Sequence, residues 1–115
     1  MSKLLGDPLA APTLAWFAEL EVEVGMPLEV GRVASGLRRV IPIVGGSCTG
    51  RSFTARVLPG GADFQLIMSP TMARLEARYV LETDGGELIY VHNDAVRTAA
   101  PEAMATGLPE SVPAW

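Results

Sequence analysis

Apolar and polar residues alternate along most of the chain, and helical periodicity is nearly absent. Over residues 13–24 (TLAWFAELEVEV), Leu14, Trp16, Ala18, Leu20, Val22 and Val24 fall on one face. Ala15, Phe17, Glu19, Glu21 and Glu23 fall on the other. A period of two over this length predicts a strand with one wetted side. Gly25-Met26-Pro27 ends it, and residues 28–33 and 37–44 read as two further extended pieces. Pro42 lies inside the third run; proline cannot donate to a ladder, so that strand is expected at an edge or bulged there. Gly45, Gly46 and Gly50 follow, and glycines in a strand context predict a bulge, a barrel corner or a close backbone approach. Residues 52–58 alternate again, Pro59-Gly60-Gly61-Ala62-Asp63 has the composition of a turn, and residues 64–68 are a short apolar run.

The clearest unit is a β-hairpin over residues 74–93, centred on Asp84-Gly85. Asp-Gly is a preferred pair for a two-residue type I′ turn, whose central residues both need positive φ. That loop sets Leu81 opposite Leu88, Tyr79 opposite Tyr90 and Ala77 opposite His92, with all six on one side of the sheet. Gly86 also permits a three-residue loop, which shifts the register and exchanges the faces. After Asn93 the pattern changes. Residues 101–105 have the composition of a short helical turn with Pro101 at its first position, and residues 98–115 read as an irregular Pro-rich tail. Some seven short strands with frequent turn signals predict an all-β domain, a sandwich or barrel, spanning residues 1–115.

Composition narrows the class of function. A length of 115 residues is one domain and suffices for a core without metals or disulfides. The net charge of -4 argues against a nucleic-acid partner, which requires clustered Lys and Arg. One cysteine and one histidine cannot make an internal disulfide or a Cys/His zinc site. Cys48 is expected to behave as a small buried hydrophobe. No apolar run reaches signal-peptide or membrane-helix length, so the expectation is a cytoplasmic protein without a membrane partner.

Three segments, residues 22–50 (VEVGMPLEVGRVASGLRRVIPIVGGSCTG), 55–66 (ARVLPGGADFQL) and 77–93 (ARYVLETDGGELIYVHN), resemble as a set the family called domain of unknown function 3237. The similarity runs from about Ala15 to about Arg97. It implies a small antiparallel β-barrel of lipocalin-like or allene-oxide-cyclase-like shape, and it implies no established reaction. It also implies further aromatic-rich strands beyond the point where this chain stops, at Trp115. An unpaired sheet edge is an aggregation liability, so the barrel is expected to be completed by homo-oligomerisation.

Asp63, beside the glycine turn, is the first candidate catalytic residue: a carboxylate at a barrel mouth can act as a general base or hold a ligand hydroxyl. The alternative is an Asx-turn with its own backbone. His92 is the natural proton carrier near neutrality. With Tyr79 and Tyr90 on the apolar face of the hairpin, it would form the convergent polar groups of a small-ligand pocket. The alternative is a core histidine beside an aromatic cross-strand pair. Trp16 is a candidate pocket floor or core filler, and Phe64 a candidate ligand contact. Arg78 and Arg39 are basic residues that either fix a carboxylate in bidentate fashion or form surface ion pairs. Neither glycine pair matches a phosphate-binding spacing, and no serine-hydrolase motif is present.

The function expected is a small-molecule barrel protein: a cofactor-independent isomerase, cyclase or lyase acting on a small apolar or aromatic metabolite, with Asp63 as base and His92 or a tyrosine as acid. No metal or cofactor is expected. The alternatives are a non-catalytic small-ligand binding protein and an oligomeric structural or assembly module.

Overall fold

A computed structural model describes residues 9–102. Seven strands follow one another: β1 (Ala18–Val24), β2 (Leu28–Val33), β3 (Gly36–Gly50), β4 (Thr54–Val57), β5 (Gly61–Ser69), β6 (Met72–Thr83) and β7 (Leu88–Thr98). Every pairing between them is antiparallel. The fold is an all-β, antiparallel barrel built around two long strands. β5 and β4 lie end to end, each pairing with β3 on one side and with β6 on the other. The first half of β3 pairs with β5 (Leu37 with Ile67 through Ile43 with Gly61), and its second half with β4 (Ser47 with Arg56 through Thr49 with Thr54). β6 does the same with Ala62–Ser69 and Ala55–Val57. β2 and β1 line the remaining edge of β3, and β7 lines that of β6. No helix among the described residues is long and apolar enough to cross a membrane.

Pro42 sits inside a central strand and is accommodated by a local gap. It lies opposite Ala62 of β5, while its carbonyl accepts a hydrogen bond from the Gly25 N–H at 2.9 Å, in the break between β1 and β2. The missing N–H therefore falls where the neighbouring ladder is interrupted, beside a register shift at Glu23/Val24. At Gly46 φ is +137°, and a Cβ there would run into the Glu21 carbonyl of β1; the glycine pair is a close-approach device in the strand.

Two differences from the sequence reading bear on the site. β1 starts at Ala18, not at residue 13. β3 ends at Gly50 and turns into β4, so residues 13–17 have no ladder beyond the Arg51 N–H to Phe17 carbonyl bond at 2.9 Å. The β6–β7 hairpin also takes the three-residue loop. Thr83 N–H donates to the Glu87 carbonyl (2.9 Å), Gly86 N–H to the Thr83 carbonyl (2.9 Å) and Glu87 N–H to the Thr83 hydroxyl (3.0 Å). Gly86 has φ +88°, the left-handed position that such a loop assigns to glycine. Tyr79 is therefore opposite Val91, not Tyr90, and His92 is opposite Arg78, not Ala77.

The inward face carries two apolar clusters. One comprises Ile43, Cys48, Ala55, Val57, Ala77, Tyr79 and Leu81, with Ala18, Phe53 and Val91 packed on it. The other comprises Ala73 and Leu75, with Ile67, Ala95 and Ala99. The expected tail over residues 98–115 begins later than expected: Thr98 is the last residue of β7 and the Ala99 N–H donates to the Thr71 carbonyl at 3.0 Å; Pro101 and Glu102 are helical, and residues 103–115 lie outside the described residues.

Candidate functional site

Side chains alternate across a strand, so the register decides which groups meet. On β5 the inward parity is Asp63, Gln65 and Ile67, and on β6 it is Ala73, Leu75, Ala77, Tyr79 and Leu81. The same parity places Arg39, Ile41 and Ile43 inward on β3, and Val91, Ala95 and Arg97 inward on β7. Four polar side chains are thereby buried in the barrel wall: Gln65 at 2% exposure, Arg39 at 4%, Asp63 at 5% and Arg97 at 8%. Arg39 is opposite Gln65, which is opposite Leu75; Asp63 is opposite Ala77, and Arg97 is opposite Ala73. The short side chains of Ala73 and Ala77 keep β6 low between the polar groups of β5 and β7.

The cluster is only partly satisfied. One Asp63 carboxyl oxygen accepts a hydrogen bond from Gln65 Nε2 at 3.0 Å, and the other from the Glu76 backbone N–H at 3.2 Å. Arg39 Nε donates to Glu29 Oε1 at 2.9 Å, where β2 brings Glu29 opposite Arg39. Arg39 Nη1, Gln65 Oε1, Arg97 Nε and Arg97 Nη2 are buried without a hydrogen-bond partner among the described residues. Burial raises the Asp63 carboxyl above the ordinary carboxylate value, against the lowering by Gln65, by the Glu76 N–H and by the positive charge of Arg97. Burial likewise lowers Arg97; the charge of Asp63 opposes this and that of Arg39 adds to it. Buried polar atoms are nearly always paired, so four orphans within one cluster are unusual.

The sequence-predicted residues divide between the faces. Asp63 and Tyr79 point inward. Tyr79 is 3% exposed, and burial raises its phenol above the ordinary value. His92, Tyr90, Arg78 and Phe64 are on the outer face, contrary to the expected convergence of Tyr79, Tyr90 and His92. There the Glu76 carboxylate accepts from Arg78 Nη2 at 2.6 Å and is 3.2 Å from His92 Nε2. The Arg78 guanidinium, and then His92, hold Glu76 below its ordinary value. Arg78 thus forms a surface ion pair, one of the two uses anticipated for it. Trp16 precedes β1 and is 57% exposed, so it neither floors a pocket nor fills the core. Two open depressions of about 420 and 500 Å³ lie beside Thr54 and Asp84 at the hairpin end, and they contain none of the predicted site residues.

Gln65 and Arg97 were missed by the sequence reading, and Arg39 was assigned no more than an anion contact or a surface pair. The available signal was the parity of Gly61-Ala62-Asp63-Phe64-Gln65 in β5, read opposite to its hydropathy.

A family model described as "Protein of unknown function (DUF3237)" matches residues 12–113. The chain is 39% identical over 85 residues to the UPF0311 protein RPA1785 of Rhodopseudomonas palustris, covering 74% of this chain and 56% of that one. It thus spans about half the length of the curated relatives it matches. The crystal structure of the conserved protein of unknown function RPA1785 superposes with TM-score 0.76 at 38% identity, over 86% of this chain and 68% of that one. A β-barrel-like protein from Acinetobacter baumannii superposes with TM-score 0.63 at 34% identity, over the same shares.

Proposed function

The chain belongs to the DUF3237 family, and on that premise we propose that it binds a small molecule on the inner face of its barrel, with Asp63 as the polar anchor. The observation that carries this reading is the buried Asp63, held by Gln65 and the Glu76 N–H, inside a cluster with four polar atoms unpaired among the described residues. Isomerase, cyclase or lyase chemistry with Asp63 as base and His92 as acid has less support, because the two side chains project from opposite faces of the wall. In a catalytic version, Asp63 has the inward Tyr79 rather than His92 as its possible proton partner. We further propose a homo-oligomer acting in the cytoplasm. The first is supported by the outer edges of β1, β2 and β7, which are unpaired among the described residues, and the second by the unpaired Cys48 thiol.

The test is a thermal-shift screen of small aromatic and aliphatic metabolites on wild-type protein, Asp63→Asn and His92→Ala. Compounds that raise the Tm of wild type and of His92→Ala, but not of Asp63→Asn, support the proposal. Compounds indifferent to Asp63, or no stabilising compound in the screen, overturn it.

A further inference from the structure

Among the described residues the outer edges of β1, β2 and β7 face no strand, and they differ in what an added strand would meet. β1 and β2 are short and bulged, with register shifts at Glu23/Val24 and between Glu29 and Gly31. When two copies of one strand extend a sheet about a two-fold axis normal to it, each residue faces one of its own parity, because the faces must match. In β1 that rule sets Glu19, Glu21 and Glu23 against one another wherever the copies overlap, a like-charge barrier. β7 carries no such barrier. It runs from Leu88 to Thr98 without a bulge, in a single register with β6. At its ends the Glu87 carbonyl accepts from the Thr83 N–H, and the Ala99 N–H donates to the Thr71 carbonyl, so the odd-numbered residues of β7 bond to β6. The N–H and C=O groups of the even-numbered residues therefore point away from β6, at the open edge. Tyr90 and Val96 of that set are 64% and 63% exposed.

We infer that β7 is a dimerisation strand, pairing antiparallel with β7 of a second copy about a two-fold axis through Asn93, the midpoint of the strand. This rests on the homo-oligomer reading above and names its edge and register. Centred there, every residue from Leu88 to Thr98 is paired. On the outer face His92 stands opposite the partner's Asp94, and Tyr90 opposite the partner's Val96, each contact made twice by symmetry. Within one copy Asp94 is 3.4 Å from Arg74 Nη2, and Glu76 is 3.2 Å from His92 Nε2. The row across the seam thus alternates basic and acidic side chains: Arg74, Asp94, the partner's His92, the partner's Glu76. On the inner face Val91 meets the partner's Ala95. Moving the axis by one residue loses this match. At Asp94 it sets two carboxylates against each other, and at His92 it sets Tyr90 against the partner's Asp94.

The experiment uses the full chain. Sedimentation velocity over a range of concentrations is expected to show a monomer–dimer equilibrium. Val96→Lys, at an exposed edge position, is expected to weaken the dimer about tenfold or more through its two equivalent contacts with Tyr90. Cross-linking reads the register. Odd-numbered residues form the non-hydrogen-bonded pairs across the seam, where Cα atoms are ~4.5 Å apart. Asn93→Cys is therefore expected to give a disulfide-linked dimer under mild oxidation, with Cys48 buried and silent. Tyr90→Cys, whose counterpart lies opposite Val96 and so about 20 Å away, is expected to stay unlinked. A link through Tyr90→Cys and none through Asn93→Cys overturns the register. A dimer indifferent to Val96→Lys and unlinked through Asn93→Cys overturns the choice of edge and leaves the homo-oligomer reading standing. Growth beyond a dimer with concentration points to a head-to-tail contact and overturns the two-fold pairing. A chain that is monomeric at every concentration, as when residues 103–115 cover β7 themselves, overturns both readings.

Discussion

Asp63 and His92 project from opposite faces of the same sheet. Asp63 lies opposite Ala77 on the inward side of β6, and His92 lies opposite Arg78, one residue on and on the outward side. The two groups therefore belong to different environments and separate cleanly in experiment. Burial raises the folded-state Asp63 carboxyl above the 3.8 of an unfolded aspartate. A group raised in this way favours the folded state fully below the unfolded value, and that contribution is lost as pH rises through the folded value. Asp63→Asn removes the titration. The stability of wild type relative to Asp63→Asn is thus expected to fall as pH rises from 3.8 through the raised folded value, read from urea midpoints at several pH values. A difference that stays flat, or that grows with pH, contradicts the burial assigned here. His92→Ala is expected to change stability by no more than about 0.5 kcal/mol at pH 7, as for other exposed pairs.

The hairpin register can be checked with two glycines. In the three-residue loop only Gly86 has positive φ, and Gly85 does not. A Cβ on Gly86 meets nothing within 4 Å, so its cost is purely one of backbone conformation. Gly86→Ala is expected to destabilise by about 1–2 kcal/mol. Gly85→Ala is expected to be neutral or stabilising by up to about 1 kcal/mol, because it restricts the unfolded chain at a compatible site. A two-residue type I′ turn at Asp84-Gly85 would make Gly85→Ala the costly one, so chemical denaturation of both variants decides the register.

Cys48 is 1% exposed in the larger apolar cluster, and burial pushes its thiol above the ordinary value. Modification by a thiol reagent at pH 7 is expected to be at least ~10³-fold slower than in denaturing urea, since it must wait for opening of the wall. Rapid stoichiometric labelling of the native chain would show that the strands around Ala55 and Leu20 do not cover it.

The alternation in residues 18–24 and 74–83 was sufficient to find β1 and β6; in β6 it reflects one covered and one wetted face, whereas β1 is exposed on both faces beyond Ala18. It overran at residues 13–17, where the pattern continues but β3 has turned away and offers no partner. Two other failures share a physical cause. β5 places Asp63 and Gln65 inside while Phe64, 37% exposed, faces out, an inversion that hydropathy alone reads backwards. The hairpin loop turned on whether Gly85 or Gly86 adopts the left-handed conformation, a choice made by the Thr83 hydroxyl bonding to Glu87 N–H. With that register wrong by one, Arg97 is assigned to the outside and the cluster disappears from view. Asp63 was legible because its glycine turn marks it; Gln65 and Arg97 are ordinary surface residues in every respect except parity.

β3 and β6 each run unbroken past a neighbour that is interrupted, β1/β2 and β4/β5 respectively. They act as splints. The polar end of the wall, with Arg39, Asp63, Gln65 and Arg97, and the greasy end, with Cys48, Val57 and Leu81, are spliced across the gaps by the same two rods. Neither end can slide by a residue without dragging the other.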